Sequence, residues 1–323
     1  MFDVITIGDS TVDSNIIIDH QKARVTCDLK KENCLLCFNY ADKVPIEQTV
    51  QSIGGNAANV AVGCRRLGLK TAIVTELGAD LNGQLIKEEL ERAEVDIRWV
   101  HLWPKQETRF SVVLNYQGER TILAYHVPRR YTLPALATTR WIYFTSLGAS
   151  HASLQANLLK YLKAHPEIKL ACNPGSFQIK DGLKTLRKIL PRLDLLFVNK
   201  QEAEKIVGGK EIETNMARFH KLGIKIVVIT DSTQGSYLSS GQERYHLPSY
   251  PLKPLAKTGA GDAYASGFLS ALTAGKSLTE AMQWGTANAG GVVQKIGAQK
   301  GLLTKAGVQK IIRRYSKIVP QKI

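Results

Sequence analysis

Thr258-Gly259-Ala260-Gly261-Asp262-Ala263-Tyr264-Ala265-Ser266-Gly267-Phe268 reads as a turn of small residues that opens directly into a helix, with Phe268, Leu269, Ala271 and Leu272 as its apolar side. The first N–H groups of a helix have no partner within it, and the helix dipole favours negative charge there, so such a turn is suited to hold a phosphate. Glycine lets the backbone come close to that phosphate. Asp262 falls in the first turn, beside the position a transferring phosphoryl group would take, where a carboxylate can accept the proton of an attacking hydroxyl. A plain N-cap is the alternative role for the same residue. The stretch is not a dinucleotide fingerprint, since Tyr264 stands where a glycine is required, and no Walker-type G-x-x-x-x-G-K-[ST] occurs in the chain.

Outward from this turn, short β-branched or aromatic runs at 2–7, 71–75, 141–145, 168–172, 195–198 and 225–230 alternate with amphipathic stretches at 57–67, 83–93, 154–164, 182–190 and 216–222. That rhythm predicts βαβ units: a doubly wound, mostly parallel α/β sheet with helices on both faces. Four runs break the rhythm, at 14–19, 34–40, 109–116 and 120–126, the last two joined by Gln117-Gly118-Glu119. They predict a small antiparallel β-sheet outside the main layer, either a lid or a plain surface hairpin.

Two further motifs sit where such a fold binds ligands. Gly54-Gly55-Asn56-Ala57-Ala58-Asn59 puts glycines ahead of a helix and two amides near its start, each able to donate to and accept from a hydroxyl. Asn199-Lys200-Gln201-Glu202 follows the run 195–198, at the carboxyl end of a predicted parallel strand. Asn199 and Glu202 suit the water shell of Mg²⁺, and suit helix capping equally well.

Composition narrows the classes. The 323 residues are 44% hydrophobic and 22% charged, as in an ordinary globular protein. No apolar run approaches the roughly 20 residues that span a bilayer, and Met1-Phe2-Asp3 opens no signal peptide, so a cytoplasmic protein with no membrane partner is expected. Five scattered cysteines argue against a disulfide framework, and Cys34 and Cys37 read as two reduced strand cysteines. The net charge of +15 favours anionic partners. Its densest patch, 305–322, reads as a terminal helix with Val308, Ile311, Ile312 and Tyr315 inward and Lys310, Arg313, Arg314 and Lys317 in solvent, rather than as a nucleic-acid site.

Taken together and in this order, the motifs resemble the ribokinase-like carbohydrate kinase family, also called PfkB. Residues 54–68 and 258–268 look like its two signatures, 199–202 is similar to its N-x-x-E motif, 8–13 to its substrate segment and 118–121 to its lid hairpin. The resemblance implies one kinase domain over 1–323 with a small β lid from about 14–40 and 109–126, and ATP-dependent phosphorylation of a sugar or sugar-like hydroxyl. It implies Asp262 as base and the amides of Gly259, Ala260 and Gly261 as anion hole. Asp13, Gly55, Asn56 and Asn59 would hold the acceptor, Asn199 and Glu202 would organise Mg²⁺, and Thr230 and Asn288 would lie by the nucleotide. Ala256 stands where many members carry an aspartate that helps to bind a monovalent cation, and its side chain cannot be that ligand; Lys257 beside it is either a fixed positive charge in place of the cation or an exposed loop lysine. Ser232 replaces a common glycine beside the nucleotide. A nucleoside kinase, or a non-catalytic sugar- or nucleotide-binding regulator, is the alternative. A homodimer through the lid strands is also expected, because exposed strand edges invite pairing.

Overall fold

The computed structural model describes residues 1–19, 21–28, 34–117 and 119–323. β1 (Phe2–Ile7) leads into β2 (Thr11–Ile18), followed by a hairpin of β3 (Arg24–Cys27) and β4 (Cys34–Cys37). β5 (Ile46–Gly54) ends at the glycine turn that starts α1 (Asn56–Arg66). Then come β6 (Thr71–Gly78), α2 (Leu81–Arg92), β7 (Asp96–Trp103), β8 (Phe110–Tyr116) and β9 (Glu119–Tyr125). β10 (Thr139–Phe144), α3 (Ala152–Ala164), β11 (Lys169–Cys172), the short α4 (Ser176–Lys180) and α5 (Leu183–Leu186) and β12 (Leu195–Asn199) continue the alternation. α6 (Lys200–Val207), α7 (Ile212–Lys221), β13 (Ile226–Thr230), β14 (Ser236–Ser239) and β15 (Arg244–Leu247) follow. The chain closes with α8 (Ala260–Thr273), α9 (Leu278–Val293), α10 (Lys305–Arg314) and the two-residue β16 (Gln321–Lys322).

Ten strands form the main sheet in the order β16-β15-β14-β13-β12-β11-β10-β1-β6-β7, parallel from β7 to β13 and antiparallel beyond. The period-two alternation of the strands sorts their side chains between two cores. Ile5, Ile7, Ile142, Phe144, Leu196, Val198, Val227 and Ile229 face α3, α6 and α7. Val4, Trp141, Tyr143, Leu195, Phe197 and Val228 face α1, α8, α9 and α10. This is the doubly wound sheet that the sequence predicts. Its strand order reverses between β1 and β10, and in such sheets the crevice beyond the carboxyl ends at that switch is where ligands bind. The terminal helix forms but is shorter than the 305–322 patch, ending at Arg314, with 321–322 in β16. Val308 is buried, Tyr315 just past the helix end stacks on Tyr250 with ring centroids 5.2 Å apart, and Lys310, Arg313, Arg314 and Lys317 are exposed.

The small sheet has the order β5-β2-β8-β9, antiparallel except for the parallel β2–β8 ladder. Three expectations need correction. The run 34–40 does not join this sheet: only Cys34–Cys37 is strand, and it pairs with β3 in a separate hairpin. Its place is taken by β5, whose polar Ile-Glu-Gln-Thr-Val-Gln-Ser carries no apolar run because most of the edge strand is exposed. Cys34 is not a reduced thiol either. The β3–β4 register sets it opposite Cys27, to which it is disulfide-bonded, while Cys37, Cys64 and Cys172 are free. Finally, the helix expected at 182–190 is broken into α5 and a single 3₁₀ turn at Leu190–Arg192, which contains Pro191. Gly118, in the β8–β9 connection, lies outside the described residues.

Candidate active site

The turn ahead of α8 is built as its sequence suggests. Gly259 is the N-cap, with φ of 81°, and a Cβ on it would lie 2.6 Å from Cβ of Ala298, so both conformation and space demand glycine. A Cβ on Gly261 would meet nothing within 4 Å, because this face of the turn opens into a cleft. The Ala260 amide makes only a long, 3.4 Å turn contact to the Lys257 carbonyl. The amides of this first turn are those that helix geometry leaves without helical partners.

Asp262 is 7% exposed. Asn59, from the second turn of α1, donates Nδ2–H to its Oδ2 at 2.8 Å, across 203 residues of chain. Burial pushes the Asp262 carboxyl up to about 7, Glu202 and Asp13 add to the rise by repulsion, and hydrogen bonds from Asn59 and Asn56 oppose it. Asp13 lies on β2 and is buried, its Oδ1 accepting from Thr11 at 2.9 Å. Burial raises its pKa, against hydrogen bonds from Thr11 and Ser111. Gly54 makes room for it: a Cβ there would fall 2.1 Å from Asp13 Oδ2. Gly55, with φ of 86°, lets the chain pass under Asp9 and Ser10 and into α1, a Cβ there falling 2.5 Å from the Asp9 carbonyl. Asn56 donates to Asn173 Oδ1 at 3.2 Å, and Asn173 in turn donates to the Phe197 carbonyl at 2.9 Å.

Asn199 and Glu202 form a capping box at the start of α6, two reciprocal bonds of 2.9 Å. The capping role foreseen for them is therefore real, and it fixes a half-buried carboxylate whose charge Asp262 feels. Burial raises the Glu202 pKa, while the Asn199 amide and the Asn173 side chain lower it. Among the described residues no three His, Cys, Asp or Glu side chains cluster as a metal cage. The donor set, one carboxylate flanked by Asn173 and Asn199, is all oxygen and amide and fits a hard cation such as Mg²⁺, which Glu202 would hold.

A cleft of about 460 Å³ adjoins the turn. Asn199, Thr230, Ser232, Ala260 and Gly261 line its polar side, and Tyr250, Leu252, Pro254, Ala289 and Val293 its apolar side. Such a mix suits a nucleotide, phosphates toward the helix start and base toward the apolar wall. Ser232 has φ of 48°, a conformation easier for the glycine that the family pattern has there. Asn288, placed by the resemblance beside the nucleotide, turns away from the cleft and is fully buried. Its amide donates to the Ala263 carbonyl and Ser266 Oγ and accepts from the Leu303 amide, tying α8 to α9 and to the following loop.

The structure also gives parts to residues that the sequence does not single out as site residues, some of them inside the quoted motifs. Asn173 signals itself only as an Asn before Pro-Gly at the end of β11. Arg120, at the start of β9, reaches the cleft wall, and its neighbour Glu119 pairs with Lys257 just ahead of the anion-hole turn. Asp9, Arg109 and Tyr131 form a buried triad, with Tyr131 donating to Asp9 Oδ1 at 2.8 Å and Arg109 paired to Asp9 Oδ2. Burial raises the Asp9 carboxyl to about 6 even against Arg109. The triad ties the loop after β1 to β8 and to the chain ahead of β10.

Comparison with known proteins gives the family and the fold. The model of the pfkB family carbohydrate kinases matches residues 13–305, and the chain belongs to that family. It is a carbohydrate kinase by that membership. Among its relatives is an ATP-dependent 6-phosphofructokinase of Thermoanaerobacterium thermosaccharolyticum, 23% identical over 92% of this chain and 89% of the relative. Two solved structures share the fold. One is the Methanocaldococcus jannaschii nucleoside kinase, with TM-score 0.76 and 20% identity over 98% of this chain and 99% of that one. The other is an E. coli ribokinase II in complex with ATP and Mg²⁺, with TM-score 0.76 and 18% identity over 98% and 100%.

Proposed function

We propose that this kinase transfers the terminal phosphoryl group of ATP to a hydroxyl of a small sugar or sugar-like acceptor, with Asp262 as general base. One observation carries the reading. A buried carboxylate, its pKa raised to about 7, stands in the first turn of a helix whose N-terminal amides open on a nucleotide-sized cleft. A base that titrates near neutrality combines a useful ionised fraction with real proton affinity. A pure binding protein gains nothing from that placement.

The residues divide the work. Asp13 and Asn56 hold acceptor hydroxyls from the small-sheet side. Asn59 is better read as a holder of the base than of the acceptor, since both ends of its amide are engaged, by Asp262 and by Gln299. As the acceptor oxygen bonds to phosphorus, its proton passes to Asp262 and the bond to the ADP oxygen breaks. The amides of Gly259, Ala260 and Gly261 face the charge that builds on the phosphoryl oxygens. Glu202, with Asn199 and Asn173 beside it, would hold a Mg²⁺ ion, which would supply neutralising charge on the nucleotide phosphates. The small sheet acts as a lid. Its contact Glu119–Lys257 joins it to the anion-hole turn, and closure keeps water from competing as acceptor.

ADP formation over a panel of sugars, sugar acids, sugar phosphates and nucleosides, with the phosphorylated product isolated, tests this reading. Turnover that depends on one acceptor class supports it and names the class. Nucleotide binding without turnover on any acceptor would turn the reading to a regulator.

A further inference from the structure

The Asn59 amide has two ends, and only one serves Asp262. Its NH₂ group donates to the carboxylate, whereas its oxygen in that place would set acceptor against acceptor. The ionised carboxylate itself disfavours the inverted amide, and a second contact at the oxygen end adds to that preference. Gln299 donates from Nε2 to Asn59 Oδ1 at 2.9 Å, engaging the oxygen end and leaving the NH₂ end on Asp262 Oδ2 at 2.8 Å. Gln299 comes from the loop after α9, 240 residues away from Asn59 in sequence. That loop is itself fixed. The Gln299 carbonyl accepts from the Leu302 amide at 3.1 Å, and Ala298 fills the space that Gly259 leaves empty. One short segment therefore packs against the anion-hole turn and orients the partner of the base.

We propose that Gln299 is a positioning residue of the phosphoryl-transfer site, which locks the Asn59 amide with its donor end on Asp262 and so sets both the aim and the proton affinity of that carboxylate. The proposal rests on Asp262 being the base, but its central observable does not require turnover. The groups that act on Asp262 are Asn56 and Asn59 from α1, Glu202 from α6, Asp13 from β2 and Tyr143 from β10. A change at Gln299 leaves all of them in place. Gln299 is only partly buried and borders an open cavity of about 640 Å³ between α1 and α2, so a substituted side chain has room.

The test is the carboxyl ¹³C titration of Asp262 in protein labelled at aspartate, its signal assigned by loss in Asp262→Asn. It is measured in the native chain, Gln299→Met, Gln299→Glu and Lys300→Glu. Met removes the donor without adding charge, and the titration midpoint should move up by about half to one unit. Glu presents an acceptor to Asn59, favours the inverted amide and should move it further. Lys300→Glu makes a change in charge twice as large next door without touching Asn59, and should still shift the midpoint less than Gln299→Glu. Where an acceptor is known, the acid limb of kcat/KM should follow the same order, with KM for ATP unchanged. Melting temperatures confirm that each variant is folded. A Gln299→Met midpoint equal to the native one, with Gln299→Glu no different from Lys300→Glu, overturns the proposal. If no acceptor turns over at all, the proposed activity fails while the titration still decides the role of Gln299.

Discussion

Replacing Asp262 by Asn should make the protein more stable at pH 8 while abolishing its chemistry. The folded state raises this carboxyl from 3.8 to about 7, chiefly by burial. A raised pKa means that the folded chain holds the proton more tightly than the unfolded chain does. The associated stability is fully present below about pH 4 and is lost as pH climbs through about 7. Above that, the native protein carries a buried charge at a cost of up to about 4 kcal/mol for a shift of this size. Relaxation and water entry at the open cleft reduce the cost to about 2 kcal/mol. Asn keeps the acceptor for Asn59 and carries no charge, so the cost vanishes. In a chain of this length that is a rise of roughly 3 °C in melting temperature. Thermal melts of both proteins from pH 4 to pH 9 would show curves that coincide at the acid end and separate through neutrality. A variant that is equal to or less stable than the native chain at pH 8 would refute the claim that burial strains an ionised Asp262.

Three further outcomes follow from the same geometry. The pH profile of kcat/KM should rise about tenfold per unit on its acid side and level off near pH 7, because the base must be ionised and its pKa is about 7; a limb centred near 4 would mean that Asp262 is not the titrating group. Gly259→Ala should cost at least about 1 kcal/mol in stability and lower kcat about a hundredfold, since the new Cβ meets Ala298 and the turn is held at positive φ; unchanged kinetics would remove this turn from the anion hole. β9 exposes Ile122, Leu123 and Tyr125, the apolar content of an interface, so we propose a dimer built through the small sheet; Leu123→Lys should shift sedimentation toward the monomer, and a native chain already monomeric at micromolar concentration would count against it.

The sequence reveals the main sheet because its strands are buried on both faces. Runs such as 195–198 must then be apolar throughout, and they stand out from the helices between them. The turn at Gly259–Asp262 is legible for a related reason: sterics leave it few alternatives. β5 is hidden, because a half-exposed edge strand spends its residues on polar side chains that carry no run. The Cys27–Cys34 pair depends on a hairpin register that cysteine spacing does not encode. Gln299 and Asn173 escape notice for another reason. Their roles arise from hydrogen bonds to side chains far away in the chain, and no local pattern announces them. Asn288 shows the reverse case, since the amide of a residue carried over by its place in a motif bonds α8 and the Leu303 loop, which the motif does not announce.

The central claim is that Asp262 takes the proton of the acceptor hydroxyl. Acceptor-dependent ADP release at pH 8, with native protein and folded Asp262→Asn side by side and ATP binding measured in both, tests it most directly. Loss of a general base costs about 10²–10⁴ in rate, so the account predicts a fall of at least about a hundredfold with ATP affinity kept. Turnover in the variant within a few-fold of native would contradict it.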